Sequence, residues 1–237
     1  MGNEGMDAYR RAVESIFGEE LISLTLYGGH AADPPVERGE IHVLIVVRNL
    51  RRDALAAYRA ASPRFTKQGI APPPIFTETF LAESVDVFPL EFLGMKERRK
   101  VLSGRDVLAP IEVDTANLRH QVEFEMKGKL LALRRMYLSS QGGRALASLM
   151  RRTAGPIVVV ARGLLLLSPG GAPHGKREIL SEMESRFGLS LPRLREILDA
   201  ADDASLAGHA EDTFLGYLEE VERICRVADS GAAGNAR

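Results

Sequence analysis

A few positions combine side chains capable of chemistry with a spacing that brings them together. Glu40 and His42 open the apolar run IHVLIVV, and side chains two apart on a strand share one face. Both can therefore reach one site: Glu40 offers a carboxylate, and His42 a neutral nitrogen that suits Zn²⁺, Mn²⁺ or Fe²⁺ better than Mg²⁺. Gly28-Gly29 ends the β-favouring segment LISLTLY, and glycine's freedom at positive φ lets backbone N–H groups turn toward a phosphate. Asp86 lies in VDVFPLEF, which alternates like a strand. Each has a plainer reading beside it: a simple turn at Gly28-Gly29, a solvent-facing pair at Glu40 and His42, a capping carboxylate at Asp86. His30 and Asp33 belong to the loop between the strands and read as solvated.

These residues need a scaffold, and the hydrophobic pattern supplies one. Ala8, Ala12, Val13, Ile16 and Phe17 recur at helical spacing over residues 6–17, and Gly18 stops that helix. Strands are predicted over 21–27 and 41–47, the second buried on both faces because it is nearly continuous in β-formers. A helix follows over 50–61. Pro72-Pro73-Pro74 precedes an edge strand at 75–77, since proline donates nothing to a ladder. Thr77 caps a short helix, and residues 85–92 read as a further strand. From Thr115 the character changes: Leu118, Val122, Met126, Leu130, Leu133 and Tyr137 trace one face of a long helix. Helices then follow at about 143–153, 155–168, 174–187, 191–200 and 210–228. Strands followed by a run of helices predict an α+β domain over 1–112 and a C-terminal helical bundle over 113–230, with a frayed tail at 231–237.

Composition narrows the function classes. The formal net charge is −1, with 31 Lys and Arg against 32 Asp and Glu. That balance lacks the positive excess needed for counterion-driven binding to a nucleic-acid backbone, so a small molecule or a protein is the expected partner. The single cysteine, Cys225, excludes an internal disulfide and fits a reducing, cytoplasmic compartment. At a helical position beside Ile224 it reads as a small core hydrophobe. The longest apolar stretch, Pro156 to Leu167, contains Arg162 and is too short for a membrane span. Its leucines at 164–167 read as core, or as a dimer surface. His120, His174 and His209 are too scattered to form a metal set, and neither a nucleophile elbow nor a Walker loop occurs.

The order helix, strand, Gly-Gly turn, loop and buried strand, carried by LYGGHAADPPVERGEIHVLIVV, resembles the nucleotidyltransferase superfamily, including the small bacterial and aminoglycoside nucleotidyltransferases. The stretches VDVFPLEFLGMKERRKVLSGRDVL and LRHQVEFEMKGKLLALR are similar to a subgroup that carries a helical domain. The resemblance implies a mixed β-sheet with flanking helices. It sets Gly28-Gly29 at the Gly-Ser position that holds the triphosphate, Glu40 and His42 at the Asp-x-Asp pair, and Asp86 at the third carboxylate. In active members those carboxylates bind Mg²⁺ or Mn²⁺, which clamps the α-phosphate and activates a hydroxyl. Here His42 removes one negative charge and Gly29 lacks the serine hydroxyl. By the same resemblance Arg119, Glu123 and Lys127 belong to a polar wall of the cleft between domains, although Glu123 and Lys127 are also spaced for an exposed i,i+4 ion pair. Two readings follow. In one, the chain is a nucleotide-binding relative whose metal carboxylates are eroded, needing no metal and acting through small-molecule or protein contacts, with self-association through its helices. In the other, it is an active enzyme that moves a nucleoside monophosphate from a nucleoside triphosphate to a hydroxyl of a small molecule or protein.

Overall fold

The computed structural model describes residues 3–32 and 39–230, so Asp33 and the tail at 231–237 lie outside the described residues. The chain divides into two compact units, Met1–Asp114 and Thr115–Arg237. The first is α+β and the second is helical.

In the first unit, helix α1 spans Asn3–Phe17 and leads through a single 3-10 turn to strand β1, Leu21–Tyr27. Strand β2, His42–Val47, helix α2, Arg52–Lys67, and strand β3, Ile75–Thr77, follow. Helices α3, Glu78–Glu83, and α4, Pro89–Glu97, then lead to strand β4, Arg99–Gly104. The sheet order is β3-β2-β1-β4. β1 runs antiparallel to both β2 and β4, while β2 and β3 are parallel, so the sheet is mixed.

Alternation along the central strands builds two cores. Val43, Ile45 and Val47 of β2 join Leu24 and Leu26 of β1 beneath Tyr9, Val13 and Phe17 of α1 and Tyr58 and Phe65 of α2. The hydroxyls of Tyr9 and Tyr58 meet within this core at 3.0 Å, which satisfies both. On the opposite face Leu44 and Val46 pack with Leu81 of α3, Phe92 and Met95 of α4, and Val107, Leu108 and Ile111. Thr77 caps α3 as expected, its Oγ1 accepting the Phe80 N–H at 3.2 Å.

The segment 85–92 departs from the sequence expectation. It is a turn followed by the first residues of α4, not a strand. The Ser84 carbonyl accepts the N–H groups of both Val87 and Phe88. Pro89 then opens the helix at a position where its missing N–H costs nothing. The strand on that side of the sheet is β4, whose sequence RKVLSG shows little apolar alternation.

The second unit is built on three long helices: α5, Thr115–Ser139; α6, Gly143–Leu166; and, closing the chain, α10, Ala210–Asp229. Between them lie α7, Lys176–Phe187, α8, Pro192–Asp199, and the short α9, Ala204–Ala207. The expected break between residues 153 and 155 is absent, and α6 runs through Pro156 as one helix. Its buried stripe, Leu146, Met150, Ala154, Ile157, Ala161 and Leu165, continues across the proline, so packing outweighs the one lost hydrogen bond. Leu164 and Leu165 are 1% and 0% exposed and belong to the core, while Leu166 and Leu167 are half-buried. The apolar side chains left most exposed in this unit are Leu138, Phe124 and Leu131 of α5, seven residues apart along one stripe. Among the described residues no helix is long and apolar enough to cross a membrane.

Candidate functional site

The end of the sheet where β1 finishes and β2 begins gathers most of the sequence-derived site residues. The ladder pairs Tyr27 with His42 on one side and with Arg99 on the other. His42 lies face to face with the Tyr27 ring, centroids 5.8 Å apart and planes 28° apart. Burial pushes the Tyr27 phenol above its ordinary range. His42 shares its strand face with Leu44 and Val46, so it marks the polar margin of the second core.

Gly28 takes φ 77°, ψ −151°, a conformation open only to glycine, and turns the chain out of β1. Its N–H donates to the Arg98 carbonyl at 2.9 Å. That donor is therefore committed to the fold and unavailable to a phosphate. Gly29 is buried at the start of a single 3-10 turn, Gly29–Ala31.

Glu40 is exposed and precedes the strand; the ladder begins one residue later, with an isolated bridge between Ile41 and Ile70. Asp86 is exposed in the turn between α3 and α4, away from any strand. The structure thus brings Gly28, Gly29 and His42 to one end of the sheet, with Glu40 just before β2, and gives Asp86 no strand to hold it there. Among the described residues no group of three His, Cys, Asp or Glu side chains is placed to hold a metal ion. The reason lies in the strands themselves. LISLTLY, HVLIVV, IFT and RKVLSG contain no carboxylate. Beside the first residues of β2 the chain runs Ala71-Pro72-Pro73-Pro74 before β3 begins opposite Ile45.

Sequence reasoning missed the basic segment beside this end. Lys96, Arg98, Arg99 and Lys100 surround the start of β4. Arg99 is structural: its Nε lies 3.0 and 2.9 Å from the two Asp106 carboxylate oxygens, and its Nη1 donates to the Lys96 carbonyl. Asp106 also accepts the N–H groups of Leu108 and Ala109, both at 3.1 Å. The Arg99 guanidinium holds the Asp106 carboxyl below the usual carboxylate range. Lys96 donates to the Ile111 carbonyl at 2.5 Å. Arg98 differs: it is half-buried, and its Nη1 is buried without a hydrogen-bond partner. The signal available in the sequence was the charge run ERRK before an apolar pair.

In the helical unit, Lys127 lies 2.7 Å from Glu123 and 2.6 Å from Asp229. Those two carboxylates raise the Lys127 pKa and tie α5 to α10. Arg119 is half-buried near the start of α5.

No protein-family profile matches the chain, and no curated protein does. Among solved structures it is similar to the crystal structure of spectinomycin adenyltransferase AAD(9) from Enterococcus faecialis with ATP and spectinomycin. The TM-score is 0.55 at 11% sequence identity, over 94% of this chain and 100% of that one. The likeness establishes a nucleotidyltransferase-like α+β fold with a C-terminal helical region.

Proposed function

We propose that this chain is a nucleotide-binding relative of the nucleotidyltransferases that has kept the fold and lost metal-dependent transfer, acting through small-molecule or protein contacts. The observation that carries this reading is the absence of any carboxylate from the four strands of the sheet. Metal-assisted phosphoryl chemistry needs two or more hard oxygen ligands held rigidly at one place. Here Glu40 stands exposed just before β2, while His42 is packed against Tyr27. A single exposed carboxylate does not neutralise even one divalent ion.

The neighbouring adenyltransferase structure contains ATP and spectinomycin, which supports a nucleoside triphosphate and a small molecule as the ligand classes to test. The compartment proposed is the cytoplasm, where a lone buried thiol such as Cys225 stays reduced.

Two measurements test the reading. Pyrophosphate release from nucleoside triphosphates, with Mg²⁺, Mn²⁺ or Zn²⁺ and a panel of hydroxyl-bearing acceptors, is expected to stay at background. Calorimetry is expected to show weak triphosphate binding that metal does not strengthen. Metal-dependent pyrophosphate release, or tight binding that requires the metal, would establish the enzyme instead.

A further inference from the structure

We infer that Arg98 grips the phosphate chain of the nucleotide directly, in place of a metal ion, and that Gln68 accepts an O–H or N–H of its nucleoside. This rests on the nucleotide-binding reading above and adds the residues and the sign of the metal effect.

The starting observation is a pair of unsatisfied groups. Buried polar atoms are almost always hydrogen-bonded, and each exception calls for a reason. Among the described residues of the first unit, two side-chain atoms are buried without a partner: the Arg98 Nη1 and the Gln68 Oε1. Both flank the same end of the sheet. The Arg98 carbonyl holds the Gly28 N–H, so its residue adjoins the turn after β1. Gln68 directly precedes Gly69, whose carbonyl accepts the Ile41 N–H at the start of β2. One group is a cationic donor short of an acceptor, and the other a neutral acceptor short of a donor. A nucleotide carries both complements: anionic oxygens at one end, hydroxyl and amino groups at the other.

Spacing and charge agree with this assignment. Arg98 adjoins β4 and Gln68 adjoins the β3 side, three strand spacings apart, or about 14 Å. One extended ligand can serve both; an isolated phosphate cannot. The cations near this end are also unequal. Arg99 is committed to Asp106 and Lys96 to the Ile111 carbonyl, while the Arg98 Nη1 is the guanidinium nitrogen among these residues that is buried without a partner. Guanidinium binds phosphate bidentately, so it supplies geometry as well as charge.

The test is calorimetry on the full chain with ATP and with inorganic tripolyphosphate, each in EDTA and in excess Mg²⁺. Both ligands are expected to bind in EDTA and to bind more weakly with Mg²⁺, because the chelated ion screens the charge that Arg98 reads. Arg98→Gln is expected to weaken both ligands roughly tenfold or more, and Arg98→Lys by less, since it keeps the charge and loses the fork. Gln68→Ala is expected to weaken ATP and leave tripolyphosphate unchanged. Should Arg98→Gln fail to fold by near-UV circular dichroism, Arg98→Lys and the sign of the Mg²⁺ effect still decide. Unchanged affinity in both Arg98 variants, or binding strengthened by Mg²⁺, overturns the arginine grip while leaving nucleotide binding intact. ATP affinity unchanged in Gln68→Ala overturns the nucleoside contact alone. Absence of binding by the wild-type chain under every condition overturns the inference and the nucleotide-binding reading together.

Discussion

His42 spends one ring face on Tyr27, with centroids 5.8 Å apart. The imidazole is part of the packing at the sheet's margin. His42→Ala removes that stack, worth about 0.5–1.5 kcal/mol for a well-packed aromatic pair. The expected result is an unfolding free energy lowered by about that amount, read from the shift of the urea midpoint multiplied by the slope. Adding Mn²⁺, Mg²⁺ or Zn²⁺ is expected to shift wild type and variant equally, because among the described residues no set of ligands includes His42. A metal-induced stabilisation present in wild type and lost in His42→Ala would mean that the imidazole is a ligand after all.

Gly28 is tested by strain. It sits at φ 77°, ψ −151°, and a Cβ added there would meet nothing within 4 Å. Substitution therefore crowds no neighbour and acts through the backbone alone. Gly28→Ala is expected to cost about 1–3 kcal/mol of stability. Equilibrium unfolding monitored by circular dichroism measures it. An unchanged midpoint would show that the turn relaxes without penalty.

These two positions also show what the sequence could and could not reveal. β1 and β2 were legible because both faces of Leu24–Leu26 and Val43–Val47 are covered, which leaves a run of β-formers. β4 was not legible: of RKVLSG only Val101 and Leu102 are apolar, and the strand exists because β1 offers it an edge. The segment 85–92 imitated a strand through Val85, Val87 and Leu90. The Ser84 carbonyl and Pro89 send it into a turn and a helix instead. Asp86 lies in that turn, so the strand expected to carry it is absent. Arg98 carried no signal beyond a charge run, because an unsatisfied guanidinium nitrogen becomes visible only once its surroundings are folded.

Cys225 gives a reading on the helical unit. It is 6% exposed, and burial pushes its thiol up to about 11. The nucleophile in disulfide exchange is the thiolate, so at pH 8 the native chain presents almost none. Reaction with an aromatic disulfide reagent is expected to be slow in buffer and fast in denaturant. Comparable rates in both would mean that α10 opens readily.

Glu220 carries the sharpest pH prediction. It is 1% exposed on α10, and its two oxygens accept the N–H groups of Arg193 at 2.7 Å and Leu194 at 2.8 Å. It thus caps α8 from a distant part of the chain, satisfying two donors left open at that helix start. Desolvation by burial raises its pKa above the ordinary glutamate range, and the two backbone N–H groups pull it down by less. The sign follows by linkage. A folded-state pKa above the unfolded one means that the native chain binds the proton more tightly. Its contribution is full below the unfolded pKa and is lost as pH climbs through the folded pKa. Glu220→Gln cannot titrate, and one of its two polar atoms is a donor facing an N–H. Wild type is therefore expected to lead Glu220→Gln by most near pH 4.5, the lead narrowing toward neutrality. Glu220→Ala leaves both N–H groups without partners and is expected to cost roughly 2–4 kcal/mol. Urea midpoints of the three chains between pH 4.5 and 7.5 measure this, and a wild-type lead that widens with pH would reverse the assignment.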